Sequence, residues 1–260
     1  MKVNKLSLKD LNELYAHPSV SLFRAIELDA IYQVCKDMDF SSNALDLGCG
    51  DGKITARLFN EKFKYGLDNG EAHDYQIAIE NGVYEKVILE SAEDMSLESN
   101  SIDFVFSNSV VEHIPDAKAV ISEVYRILKP GGTYLFTVPS KFFSEYLLMG
   151  TGFGPLSKIY STLRNKLLNH YHLYDLQGWT DLLNVSGLKV KNHKYYLTKK
   201  AIKLWDKMAL NMLLDSKILG LSKNIVSEKY KNDVLEVYNS QPETLNEGGG
   251  LFILCKKEEL

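Results

Sequence analysis

The sequence predicts an α/β fold, a mostly parallel sheet with helices on both faces and an inserted cap. Three observations carry this. Residues 43–138 alternate short apolar strands with helical segments, the pattern by which crossover connections build a parallel sheet. Phe104-Val105-Phe106 is apolar without alternation, as in a strand covered on both faces. A glycine loop, Gly48-Cys49-Gly50-Asp51-Gly52, follows the first strand at the carboxyl edge where open α/β sheets bind ligands.

The elements follow in order. Leu28, Ile31, Tyr32, Cys35 and Met38 recur at helical spacing, so residues 20–38 read as an amphipathic helix. Asn43–Leu47 is the first strand, and a helix opens near Lys53. Tyr65–Leu67 is a second strand ending at Asp68, and a helix over Ala72–Asn81 stops at Gly82. Val87–Leu89 and Ile102–Ser107 are the third and fourth strands. A helix over Ala117–Leu128 meets a stop at Lys129-Pro130-Gly131-Gly132, because Pro cannot continue a helix and Gly takes the turn. Thr133–Val138 is the fifth strand. The rhythm then breaks, and the aromatic-rich stretch 141–175 reads as a cap insertion. A helix over Leu176–Ser186, a strand through Val190 to Leu197, a basic helical elaboration within 199–245 and a last strand, Leu251–Cys255, complete one domain.

Composition narrows the function. A 45% hydrophobic, 25% charged chain of 260 residues has the proportions of a folded globular protein. The net charge of −4 argues against a dedicated nucleic-acid binder. Cys35, Cys49 and Cys255 form no CxxC pair, which argues against a disulfide framework or a zinc ribbon. No apolar leader or span of transmembrane length is read, and the expected location is the cytoplasm.

The loop fits neither common nucleotide pattern. A dinucleotide fingerprint would want a small residue where Lys53 stands, and a phosphate loop would want a hydroxyl where Ile54 stands. Instead, Asp46-Leu47-Gly48-Cys49-Gly50-Asp51-Gly52 resembles the first motif of class I S-adenosylmethionine (SAM)-dependent methyltransferases, small-molecule members of the type 11-like group in particular. Further runs match in order: Tyr65-Gly66-Leu67-Asp68, Ser91-Ala92-Glu93-Asp94-Met95, Ser101 to Asn108, Val111-Glu112-His113-Ile114-Pro115-Asp116, and Tyr125 to Gly132. The resemblance is strong over 40–140 and weaker beyond, where His170-Tyr171-His172 and Trp179 to Gly187 carry it. It implies a Rossmann-like sheet of seven strands with 40–140 as the SAM-binding core.

It also implies site residues. The loop at Gly48, Cys49 and Gly50 would meet the methionine part of SAM, with Asp46 orienting the region and Ser107 closing the fourth strand. Asp68 would accept from the ribose hydroxyls, 22 positions beyond Asp46 and near the usual ribose-carboxylate spacing. Asn69 and Ala92 would flank the adenine. Relatives often place Asp where Ser91 stands, so Glu93 or Asp94 would take over the contact with the adenine amino group.

Blander readings stand beside these. Asp51 reads as a helix cap, Cys49 as a small buried filler, and Phe104 and Phe106 as sheet core. Arg24 and Glu27 read as a surface pair three apart on a helix, the alternative being that Arg24 reaches the SAM carboxylate. For an oxygen acceptor, imidazole is a suitable base. His113, His170 and His172 are the candidates, whereas His17, His73 and His193 lack context. No Asn/Asp-Pro-Pro-aromatic run follows the fourth strand, which weakens a nucleic-acid-base acceptor. The expectation is methyl transfer from SAM to a small molecule, O-methylation favoured, without a metal. The rival is a SAM-binding sensor or partner subunit, and a third reading is other chemistry on the same scaffold. The helices in 199–235 suit either a homodimer interface or a lid.

Overall fold

A computed structural model describes residues 1–15, 17–71, 74–214 and 223–259. The predicted helix start at Ala72, His73 and the middle of the basic stretch (215–222) lie outside the described residues. Seven strands form one sheet: β1 (Ala44–Leu47), β2 (Phe63–Asp68), β3 (Tyr84–Leu89), β4 (Ile102–Asn108), β5 (Leu128–Pro139), β6 (Leu188–Tyr196) and β7 (Gly250–Lys257). Their order is β3-β2-β1-β4-β5-β7-β6, with β7 antiparallel to both neighbours and the other pairs parallel. The order reverses between β1 and β4, so the loops after these strands border a crevice.

Helices cover both faces. On one lie α1 (Leu8–Leu14), α2 (Pro18–Cys35), α3 (Lys53–Leu58), α4 (Tyr75–Asn81), α9 (Lys199–Leu214) and α10 (Lys223–Asn239). On the other lie α5 (Ala117–Ile127) and α8 (Leu176–Ser186). Phe104 and Phe106 point to the first face, and Val105 to the second, so the unbroken apolar run of β4 serves two cores. Each Phe is 1% exposed and is wrapped by Phe59 and Phe63. Burial of such a side chain stabilises by about 1.5–3 kcal/mol.

Several boundaries differ from the sequence reading. α2 starts at Pro18, where the ring fixes φ for a first helical turn, and His17 Nδ1 accepts from Ser19 N at 3.2 Å. It ends at Cys35, leaving Met38 outside. α1 went unpredicted; its capping box pairs Ser7 with Asp10. Lys129–Gly132 does end α5, but the chain passes directly into β5. The register slips there, between Ile102 and Phe104 of β4, and Gly131 takes φ +78°. The cap contains α6 (Phe142–Tyr146) and α7 (Pro155–Leu167). Asp206 of α9 holds it down: it pairs with Arg164 of α7 at 2.8 Å and accepts from Tyr160 hydroxyl at 2.5 Å and Leu148 N at 3.0 Å. No helix among the described residues is long and apolar enough to cross a membrane.

Candidate active site

The glycine loop is folded back over the end of β2. Gly48 N and Cys49 N both donate to Leu67 carbonyl, at 2.7 and 2.9 Å. Gly48 takes φ +75°, and a Cβ there would lie 2.4 Å from a Val110 methyl. Above Gly50 (φ +48°) there is open space, with nothing within 4 Å of where a Cβ would stand. The backbone thus turns sharply with one side left clear for a ligand. Asp51 Oδ1 accepts from Lys53 N at 3.0 Å, but Gly52 rather than Asp51 holds the N-cap place of α3, which has no side-chain cap.

Asp46 lies under the loop rather than facing a ligand. It is 3% exposed and accepts hydrogen bonds from Thr55 of α3 and, at 2.5 Å, from Tyr84 of β3. Burial pushes its carboxyl up to about 6, against the pull of those two hydroxyls. Its role is to tie α3 and β3 to the loop strand. Cys49 is buried beside Gly66, where burial pushes its thiol up, in keeping with a filler. Ser107 is fully buried in the sheet.

A cleft of about 820 Å³ opens at the switch point. Asp68, at the tip of β2, forms one wall: Oδ2 accepts from Gly50 N at 3.1 Å and Oδ1 from Gly70 N at 2.9 Å. Gly48, Asn69, Ser91, Ala92 and Glu93 also line the cleft. Ser91 hydroxyl is occupied locally, accepting from Glu93 N and donating to Glu93 Oε2, both at 3.2 Å. This leaves the Glu93 carboxylate as the stronger acceptor. Asp68, Glu71, Glu90 and Glu93 give the cleft four carboxyl groups. An acid-lined cleft of this size, with clear space beside a glycine turn, fits a ligand carrying a cationic sulfonium, an ammonium and ribose hydroxyls.

A second, smaller pocket of about 200 Å³ adjoins the cleft, and both are walled by Ser109, His113 and Leu168. Apolar surface from Phe23, Phe143 and Trp205 surrounds the remainder. Trp205 comes from α9, so the helical elaboration furnishes part of the wall.

Of the predicted histidines, His113 and His170 come together in this pocket, with ring centroids 5.4 Å apart, and His172 does not. His172 Nε2 donates to Ile114 and Pro115 carbonyls at 3.0 Å, pinning the cap to the turn after β4. His113 Nδ1 is 3.2 Å from Asn169 carbonyl, which can only accept, so Nδ1 carries the proton and Nε2 a free lone pair. Burial and nearby Arg24 lower His113 against the opposite pull of the Asn169 carbonyl; burial, His113 and Arg164 push His170 down to about 4. Both rings are therefore neutral at neutral pH.

The sequence reading missed Glu112. It is 1% exposed in the 3-10 turn Val111–His113, and Oε2 has no hydrogen-bond partner. Burial raises its carboxyl to about 8. A carboxylate next to a candidate histidine was the available signal, but its burial comes from the cap, whose Tyr171 N donates to Glu112 carbonyl at 2.8 Å. Glu27 is buried and Arg24 half-buried, so they are not a surface pair. Arg24 donates to Glu27 at 2.5 Å and reaches Asn108 and Ser109 at 3.1 Å. Glu27 also accepts from Ser109 and Tyr196 hydroxyls at 2.9 and 2.8 Å. Burial opposes ionisation of Glu27, but the Arg24 charge wins and holds its carboxyl below the usual range.

Comparison with known proteins places this geometry. Residues 45–136 match the family model described as a methyltransferase domain. A ubiquinone biosynthesis O-methyltransferase of Klebsiella pneumoniae subsp. pneumoniae is 24% identical over 181 residues, 67% of this chain and 74% of the relative. The Pseudomonas putida protein of the same name is 30% identical over 157 residues, 57% of this chain and 65% of the relative. A solved Haemonchus contortus phosphoethanolamine N-methyltransferase 2, in complex with phosphomonomethylethanolamine and S-adenosylhomocysteine, superposes with a TM-score of 0.55. That match has 19% identity and covers 98% of this chain and 61% of the other.

Proposed function

Because this chain belongs to the class I SAM-dependent methyltransferases, we propose that it methylates an oxygen of a small, largely apolar acceptor seated between Phe23, Phe143 and Trp205. SAM supplies an electrophilic methyl group on a cationic sulfur and leaves as a neutral thioether. Gly48 and Gly50 would hold its amino-acid end, Asp68 its ribose hydroxyls, and Asn69, Ala92 and Glu93 its adenine.

The observation that carries the reading is the shared wall at Ser109, His113 and Leu168. Two spaces meeting at one wall bring donor and acceptor into contact, and such positioning can be worth effective molarities of about 10⁵–10⁸ M. The acceptor side of that wall carries His113, His170 and Glu112, the groups that can take up or replace a hydroxyl proton. Oxygen is favoured over nitrogen because a hydroxyl must lose its proton to become a good nucleophile, and His113 presents a free Nε2 lone pair at this wall. The similarity to ubiquinone biosynthesis O-methyltransferases agrees with an oxygen acceptor.

Calorimetric titration with SAM tests the donor half. We expect micromolar affinity, weakened about 100-fold in Asp68→Ala by loss of two hydrogen bonds to a charged group at about 1.5 kcal/mol each. The acceptor half is tested by release of S-adenosylhomocysteine on presentation of phenols and catechols. Binding of SAM without turnover on any hydroxylated acceptor would favour the sensor reading, and no binding by folded protein would overturn the proposal.

A further inference from the structure

We infer that Glu112, His113 and His170 form a site for one divalent transition-metal ion, of the zinc or manganese type, which holds the acceptor oxygen in the smaller pocket. The inference rests on that pocket being the acceptor site.

The three residues come from two segments that the fold brings together, the turn after β4 and the irregular cap segment before α8. One carboxylate oxygen and one nitrogen from each ring lie within 4.8 Å of one another, and His113 Nε2 is 3.8 Å from Glu112 Oε1. Ligand atoms at about 2.0–2.1 Å from a common ion stand about 3.3 Å apart, so the site closes with side-chain shifts of no more than about 1.5 Å. The His113 side chain is 41% exposed, which leaves room for such a shift about its Nδ1 contact with Asn169.

The hydrogen bonding points the same way. His113 is held by Nδ1–H donation to Asn169 carbonyl, the outer contact that fixes a metal-ligating imidazole with Nε2 facing inward. Glu112 Oε2 and His170 Nδ1 are both buried without a partner. Buried polar atoms left without partners are costly, and one cation can take a lone pair from each. Arg24 lines the same pocket, but its charge is already matched by Glu27 at 2.5 Å.

Two imidazoles and one carboxylate suit zinc, manganese or iron better than magnesium or calcium. Three protein ligands leave at least one position open toward the pocket. A hydroxyl bound there loses its proton to water: the O–H bond breaks, oxygen keeps the electron pair, and that pair then forms the bond to the methyl carbon as the carbon–sulfur pair departs with sulfur. The cation would then do what a lone imidazole base would otherwise do.

The test is a titration of chelator-stripped, full-length protein with Zn²⁺, and separately with Mg²⁺, with SAM titrated into the same samples. We expect one Zn²⁺ per chain, at least about 10-fold tighter than Mg²⁺. Affinity should fall at least about 100-fold in His170→Ala and in Glu112→Gln. SAM affinity should be unchanged in His170→Ala, because that side chain lies outside the cofactor cleft. Circular dichroism establishes that each variant is folded, and His113→Ala, at a more exposed position, serves if Glu112→Gln is not. No Zn²⁺ uptake by folded protein, or uptake unaltered in the variants, overturns the site. Failure of SAM to bind would instead strike the methyltransferase reading and leave the metal titration standing.

Discussion

At the scale of single residues, the glycine at 48 is under the tightest constraint in the site. Its φ of +75° disfavours any side chain, and a Cβ would meet a Val110 methyl at 2.4 Å. Gly48→Ala is expected to weaken SAM binding at least about 30-fold, because backbone strain of 1–3 kcal/mol must be relieved by moving the loop. Val110→Ala in the same chain should restore part of that loss, and calorimetry on the single and double variants checks it. Trp205 makes the opposite kind of contribution, through area alone. Trp205→Ala should raise the acceptor KM about 10-fold or more while leaving SAM affinity unchanged, which steady-state kinetics with SAM held saturating will show. Asp46 was legible as important from its place before the glycines, but its partners were not. Thr55 and Tyr84 stand 9 and 38 positions away, and only the packing of α3 and β3 brings them to it.

At the scale of elements, the site is assembled where the cap lies across the turn after β4. Four consecutive cap residues, 169–172, dock on residues 112–115: Asn169 carbonyl to His113, Tyr171 N to Glu112 carbonyl, and His172 to Ile114 and Pro115 carbonyls, with His170 between them facing the pocket. The core strands and the glycine loop could be read in advance because their signals are local: apolar runs, turn residues, one acidic tip. The acceptor side could not, since α2, the turn after β4 and the cap supply three of its residues each and β5 and α9 one each, and none carries a local pattern. His170 and His172 look alike in sequence, yet a two-residue step turns one into the pocket and the other onto the turn. The cap in turn depends on Asp206, fully buried and paired with Arg164. Asp206→Ala leaves that guanidinium buried without its partner. It should cost about 3–5 kcal/mol in urea unfolding, and acceptor turnover should fall further than SAM affinity, because α9 walls only the acceptor pocket while the cap borders both.

At the scale of the whole molecule, the buried titratable groups of the site set how stability varies with pH. His170, held at about 4, binds fewer protons in the fold than in the open chain, so it makes stability rise with pH until the open-chain imidazole has titrated near 6.5. His113, also lowered, adds to that rise. Glu112, held at about 8, and Asp46, at about 6, act in the other direction: each keeps its proton in the fold and releases it on unfolding. Asp46 opposes the histidines only up to about 6, so from 6.5 to 8 Glu112 is left unopposed among the site's groups. In chelator-treated protein, stability should therefore change little up to about 6.5, where the two sets oppose each other, and fall toward pH 8. One proton released across 1.5 pH units is worth about 2 kcal/mol, a Tm drop of roughly 4 °C or more for a chain of this size. Glu112→Gln cannot release that proton and should flatten the fall, its Tm exceeding that of the unaltered protein at pH 8 but not at pH 5. Saturating Zn²⁺ should flatten it as well, because a cation at Glu112 stabilises the carboxylate in the fold and removes the reason for it to hold a proton. Thermal unfolding from pH 5 to 8, with and without Zn²⁺, measures all three curves. A fall toward pH 8 that persists unchanged in Glu112→Gln would place its source outside the acceptor pocket.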